Sequence, residues 1–150
     1  MDKIDKAIRF AKEKFEDSNV TDQNGKPYYY HAVSMMVAMT NVKNIDYRIM
    51  ALFQELLTKT KTTEAEIEAK FGQRIMKGVR LLTEKSDTIY ERHILNIINT
   101  ADINLIKAKK VFLQHNINRL PLSQEQFALY SKAFYVLVNA ELRSKRQCMF

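Results

Sequence analysis

The chain is poor in the residues that punctuate sheets and loops, with three Gly and two Pro among 150 positions. That scarcity argues against a β-sandwich or barrel, whose turns depend on both. A lone cysteine, Cys148, excludes an internal disulfide and fits a reducing compartment, so the expected location is cytoplasmic. No histidine lies near Cys148 in sequence, and it reads as an inert thiol in a basic tail. C-x-x-C, H-E-x-x-H, a Gly-rich phosphate loop and a serine elbow are all missing. No run approaches the roughly 20 apolar residues that span a bilayer, and no membrane association is expected. Met1–Lys6 is charged and opens a helical pattern, so it does not read as a signal peptide.

What is present is a globular composition, 46% hydrophobic and 27% charged, at the length of one domain. The formal charge is +7. Such a surface suits an anionic partner (a nucleotide, a nucleic acid or an acidic protein), or it is simply a Lys-rich solvated exterior. The Lys and Arg residues are spread over several helices with no recognition motif, which argues against specific nucleic-acid binding. Nothing in the pattern specifies an oligomeric state.

Periodicity is helical nearly throughout. Ile4, Ala7, Ile8, Ala11 and Phe15 form one apolar stripe over Lys3–Asp17, followed by a polar loop whose sharpest turn is Asn24-Gly25. A second helix carries Ala32, Met35, Met36 and Met39, and a third is expected to be capped by Asp46. Thr63-Glu64-Ala65-Glu66 is a capping box opening a helix that ends at Phe71-Gly72. Further helices follow over Gln73–Thr83, around Tyr90–Ile98 and over Ala101–His115, the last stopping at His115-Asn116. A second capping box, Ser123-Gln124-Glu125-Gln126, opens a terminal helix with Phe127, Tyr130, Phe134, Leu137 and Val138 inward. The expectation is all-α: a single compact helical domain of about seven or eight helices over residues 1–143, with a short, frayed basic tail over 144–150.

Five segments of the chain, in order, resemble the HD superfamily, and within it the small (p)ppGpp hydrolases and the hydrolase domain of the RelA/SpoT proteins. Gly25-Lys26-Pro27-Tyr28-Tyr29-Tyr30-His31 is similar to that family's G-x-P-Y-x-x-H, and Ala51–Thr60 to its A-L-L-H-D-V-V-E-D-T. Thr63–Ile67 with Phe71-Gly72 resembles T-x-E-E-I…F-G, and Val79–Thr83 resembles V-x-x-L-T. Lys109–Asn116 lines up with K-x-A-D-x-x-H-N.

The resemblance implies a helical cup around a divalent ion, usually Mn²⁺, held by imidazole and carboxylate at about 2.0–2.3 Å. The ion would polarise phosphate and lower the pKa of bound water. Carried over residue by residue, only His31 keeps its ligand identity. Gln54 stands in the second histidine position, Glu55 in the aspartate position and Phe112 in the last aspartate position. Thr58 and Lys59 replace the Glu-Asp pair that positions water. Asp22 and Gln23 occupy positions where the family has basic residues beside the base.

These departures imply no catalytic residues, no bound metal and no cofactor, with Mn²⁺ expected only if enough ligands survive. His31 then reads as a hydrogen-bonded structural histidine, Glu55 as the i, i+4 partner of Lys59, and Phe112 as core filling. Three functions stay open. One is an inactive pseudo-hydrolase binding a nucleotide or other anion without turnover, with Lys59, Lys107, Lys109, Asn116 and Tyr28 as candidate contacts, and Lys61, Lys110, Arg74 and Arg80 able to gather nearby. The second is a protein-interaction module with a collapsed pocket, using Tyr28–Tyr30 and Met35–Met39. The third is residual metal-dependent (p)ppGpp or nucleotide hydrolysis at a shifted site built from His31, Glu55 and His93 or His115.

Overall fold

The stripe on the first helix becomes a buried face: α1 (Lys3–Asp17) inserts Ala7, Phe10, Ala11 and Phe15 into a core. The computed structural model describes the backbone of residues 2–149 and the side chains of residues 2–146. The reading of Cys148 lies outside those side chains. The described residues are all-α, with one isolated antiparallel bridge between Thr21 and Pro27. None of their helices is long and apolar enough to cross a membrane.

Chain contacts divide the molecule into two compact units, Met1–Thr83 and Glu84–Phe150. The first holds α1, α2 (Tyr29–Val37), α3 (Ile45–Phe53), the single turn α4 (Leu56–Lys59), α5 (Glu64–Phe71) and α6 (Gln73–Leu82). Its centre is an aromatic triangle of Phe10, Phe53 and Phe71 from α1, α3 and α5, with ring centroids 5.0–5.6 Å apart. Tilted and edge-on rings at that separation are mutually attractive beyond their buried area. Met35, Met36 and Met39 are buried in this unit and belong to its core.

The second unit holds α7 (Tyr90–Ile98), α8 (Ile103–Arg119) and α9 (Gln124–Met149). Glu141 of α9 is buried among Lys107, Lys110 and Lys145, with nitrogens at 4.0, 2.5 and 3.5 Å. Burial pushes its carboxyl up, but the Lys110 hydrogen bond and the three charges outweigh that and hold it below the usual range. The α8–α9 pair is thus fastened by a charged cluster as well as by Leu113, Leu137 and Ala140.

Both capping boxes form: Thr63 Oγ1 accepts the Glu66 amide while Glu66 accepts that of Thr63, and Ser123 and Gln126 do the same. Several boundaries differ from the sequence expectation for local reasons. Asn44, not Asp46, caps α3, its Oδ1 accepting the Asp46 amide at 3.0 Å. Ala101 has φ +56°, outside helical geometry, so α8 begins after the Asp102 cap. α8 runs one turn past His115-Asn116, whose Asn is buried and accepts from Arg119 at 3.2 Å. α9 keeps Ala133, Leu137 and Ala140 inward and turns Phe127 to solvent, and it continues helically through Arg143–Arg146.

α6 and α3 approach closely because Gly78 has no side chain. A Cβ there would lie 2.2 Å from Met50 Sδ and 2.9 Å from its Cγ. Gly78→Ala gains about 1 kcal/mol of helix propensity but overpacks a filled core at a cost of about 1–3 kcal/mol. Urea unfolding should show a net loss near ~1–2 kcal/mol, partly recovered when Met50→Ala is added. A Gly78→Ala protein as stable as the parent contradicts this packing.

His93 of α7 is 5% exposed and its Nε2 has no hydrogen-bond partner. Burial, followed by the nearby Lys109 charge, pushes its pKa down to about 3 from 6.5. The unfolded chain therefore takes up a proton that the folded one refuses between pH ~6.5 and ~3. Stability from this group is complete above that window and falls on acidification through it, at up to roughly 1 kcal/mol per pH unit. His93→Phe should flatten the unfolding free energy between pH 6.5 and 4, the readable part of the window. An unchanged pH slope in that variant contradicts the assignment.

Candidate functional site

α2 starts where a loop built around Asp22 ends. Asp22 Oδ1 accepts the backbone N–H groups of Asn24 and Lys26 at 2.8 and 3.0 Å, and Gly25 turns the chain with φ +80°. Its other oxygen, Oδ2, lies 2.9 Å from His31 Nε2. The His31 hydrogen bond, and then those from the backbone, hold the Asp22 carboxyl below its usual range against desolvation. His31 is therefore oriented by a carboxylate of its own loop, with the Tyr28 ring edge-on at 5.3 Å.

Glu55 follows α3 at the break before α4 and is 8% exposed. An ionised carboxylate at that depth needs partners. The Tyr28 hydroxyl lies 2.8 and 2.9 Å from its two oxygens and donates to the pair of them. Lys59 Nζ, one turn on, is 3.7 Å from Glu55 Oε2 and 4.7 Å from the centre of the Tyr28 ring. Phenol, carboxylate and ammonium thus form one cluster. The i, i+4 pairing read from the sequence is present, and the Tyr28 hydroxyl adds a third member contributed from 27 residues away.

Gln54 is buried beside this cluster, with Nε2 donating to the Ala51 carbonyl at 3.2 Å and lying 3.8 Å from Met35 Sδ. Thr58 Oγ1 donates to the Glu55 carbonyl at 3.3 Å. Arg74 and Arg80 do not converge on one point in this unit: Arg74 reaches Asp46 at 3.9 Å, and Arg80 binds Glu64.

The remaining candidate positions lie on α8. Lys109 is 1% exposed, with Nζ 3.8 Å from Glu84 Oε1 and 4.2 Å from the centre of the Phe112 ring. Phe112 and Asn116 are buried, and Lys107 points to Glu141.

The donors here do not fit a divalent transition ion. His31 and Asp22 hold each other, Glu55 is held by a phenol and an ammonium, and the neutral Gln54 amide is a weak ligand for such a metal. Among the described residues no three His, Cys, Asp or Glu side chains gather as a metal site. Sequence reading missed Asp22 as the partner of His31. The signal was available in an Asp two residues before Asn-Gly, which commonly folds back onto its own loop amides.

No family model matches the chain. In sequence it is 32% identical over 85 residues to the guanosine-3′,5′-bis(diphosphate) 3′-pyrophosphohydrolase of Aquifex aeolicus (strain VF5), a match covering 55% of this chain and 12% of that enzyme. The chain therefore corresponds to a small part of that relative's length. In structure it matches a metazoan ortholog of SpoT that hydrolyses ppGpp, with a TM-score of 0.74 and 16% identity over 97% of this chain and 93% of the other. The chain has the fold of the HD-superfamily (p)ppGpp hydrolases and is similar to one of them in sequence over just over half its length.

Proposed function

We propose that this is a catalytically inactive HD-like domain that binds a nucleotide or similar phosphorylated anion without turning it over. The supporting observation is the Tyr28–Glu55–Lys59 cluster, in which a protein ammonium sits beside the carboxylate at the position where the related hydrolases place a metal ligand. Lys59 supplies fixed positive charge but no Lewis acid that activates water. Its side chain is 38% exposed, so the ammonium has room to meet a phosphate oxygen while staying near Glu55. Binding by such a group needs only charge and hydrogen-bond donors. Hydrolysis needs a positioned hydroxide, and neither Thr58 nor Lys59 is a base that prepares one.

The test has two arms. Incubated with guanosine-3′,5′-bis(diphosphate) and Mn²⁺, the purified protein should release no pyrophosphate above the blank. Metal-dependent release that His31→Ala abolishes overturns the reading.

In the second arm, thermal unfolding with the same nucleotide should show a concentration-dependent rise in melting point, as a ligand selective for the native state produces. Lys59→Ala should weaken that binding ~tenfold through loss of a charge-assisted contact. A melting point that ignores the nucleotide favours the interaction-module reading instead.

A further inference from the structure

Within the second unit, α7 and α9 do not close completely on each other. Tyr90, Ile94 and Leu95 face Leu129, Ala133 and Val136 across a groove of about 190 Å³. The walls are apolar. The two charged residues at its edge, Glu91 and Lys132, lie 3.7 Å apart as an ion pair and so present little net charge to an occupant. A dry apolar cavity of ~150 Å³ is large enough to take up benzene, so this volume suits one substituted ring.

Tyr90 adds a specific chemical requirement. Its ring forms part of the wall, 5.5 Å from the Tyr130 ring and 5.8 Å from that of His93. Its hydroxyl is shielded from solvent and has no hydrogen-bond partner. Such groups are rare in folded proteins because each forfeits the hydrogen bonds it made to water, at a cost of about 1–3 kcal/mol. A ligand that carries an acceptor atom into the groove would relieve that cost while covering the exposed parts of Leu95 and Leu129.

We propose that the α7–α9 groove binds a compact, uncharged, largely apolar small molecule, about one aromatic ring in size, whose hydrogen-bond acceptor is met by the Tyr90 hydroxyl. This site is separate from the Tyr28–Glu55–Lys59 cluster and does not depend on nucleotide binding there.

Acetophenone and ethylbenzene serve as matched probes, since they share size and shape and differ in the carbonyl acceptor. Titrations of the intact protein followed by ¹H–¹³C methyl spectra should show saturable acetophenone binding, with shifts confined to Ile94, Leu95, Leu129 and Val136. Ethylbenzene should bind the same methyls about fivefold more weakly, the value of one ordinary hydrogen bond. Tyr90→Phe should remove that preference and leave ethylbenzene affinity unchanged. Ala133→Phe, which fills the groove, should abolish both. If Ala133→Phe misfolds, Leu129→Trp at the groove's more exposed edge provides the same block.

No saturable shift at millimolar probe overturns the proposal, as does binding that survives a folded groove-filling variant. Equal loss of both probes in Tyr90→Phe overturns the role of the hydroxyl. A sedimenting dimer that Leu95→Glu dissociates assigns the groove to self-association and also overturns the proposal.

Discussion

A carboxylate withdrawn from water must be met by something, and in this protein Glu55 is met by the protein itself. Its two oxygens share the Tyr28 hydroxyl, and Lys59 adds a cation one helical turn away. Removing either partner would leave a charge at a depth where unpaired ionisation is costly. The cluster ties three parts of the first unit together: the start of α2, the break between α3 and α4, and the end of α4. The aromatic triangle of Phe10, Phe53 and Phe71 fixes the helices on which those parts sit. The local chemistry therefore follows from packing that would persist whether or not a ligand were bound.

The same logic recurs in the second unit with other residues. Glu141 is buried and surrounded by three lysines, and Lys109 is buried between Glu84 and the face of Phe112. Charges in both units are satisfied by neighbours in the fold, which explains why a chain with a +7 excess does not gather its cations into one stripe. Two polar groups of α7 depart from this pattern: the Tyr90 hydroxyl and His93 Nε2 are buried without hydrogen-bond partners. A departure of that kind in an otherwise well-paired chain is where ligand chemistry is worth seeking.

Much of this was legible in the residue pattern. The first helix, both capping boxes, the helix stop at Phe71-Gly72 and the Glu55–Lys59 pair depend on neighbours within a turn or two, which the pattern displays directly. Phe10 was missed because the stripe was placed on Ile4 and Ile8, whereas tertiary packing rotated the buried face toward the aromatic triangle. Phe127 erred the other way, placed inward by periodicity and left exposed by an α9 face of small residues. The Tyr28–Glu55 and Asp22–His31 bonds join residues 27 and 9 positions apart across loops, and helical periodicity carries no information about them. The family resemblance placed His31, Gln54 and Glu55 near one another but did not show what would satisfy them.

The central claim is that the side chains around His31 and Glu55 have replaced the divalent ion rather than kept a place for it. Equilibrium Mn²⁺ binding, followed by the loss of the free-ion electron paramagnetic resonance signal, tests it without relying on any reaction. The account predicts no saturable site at micromolar ion. One tightly held Mn²⁺ per chain, released by His31→Ala, would contradict it.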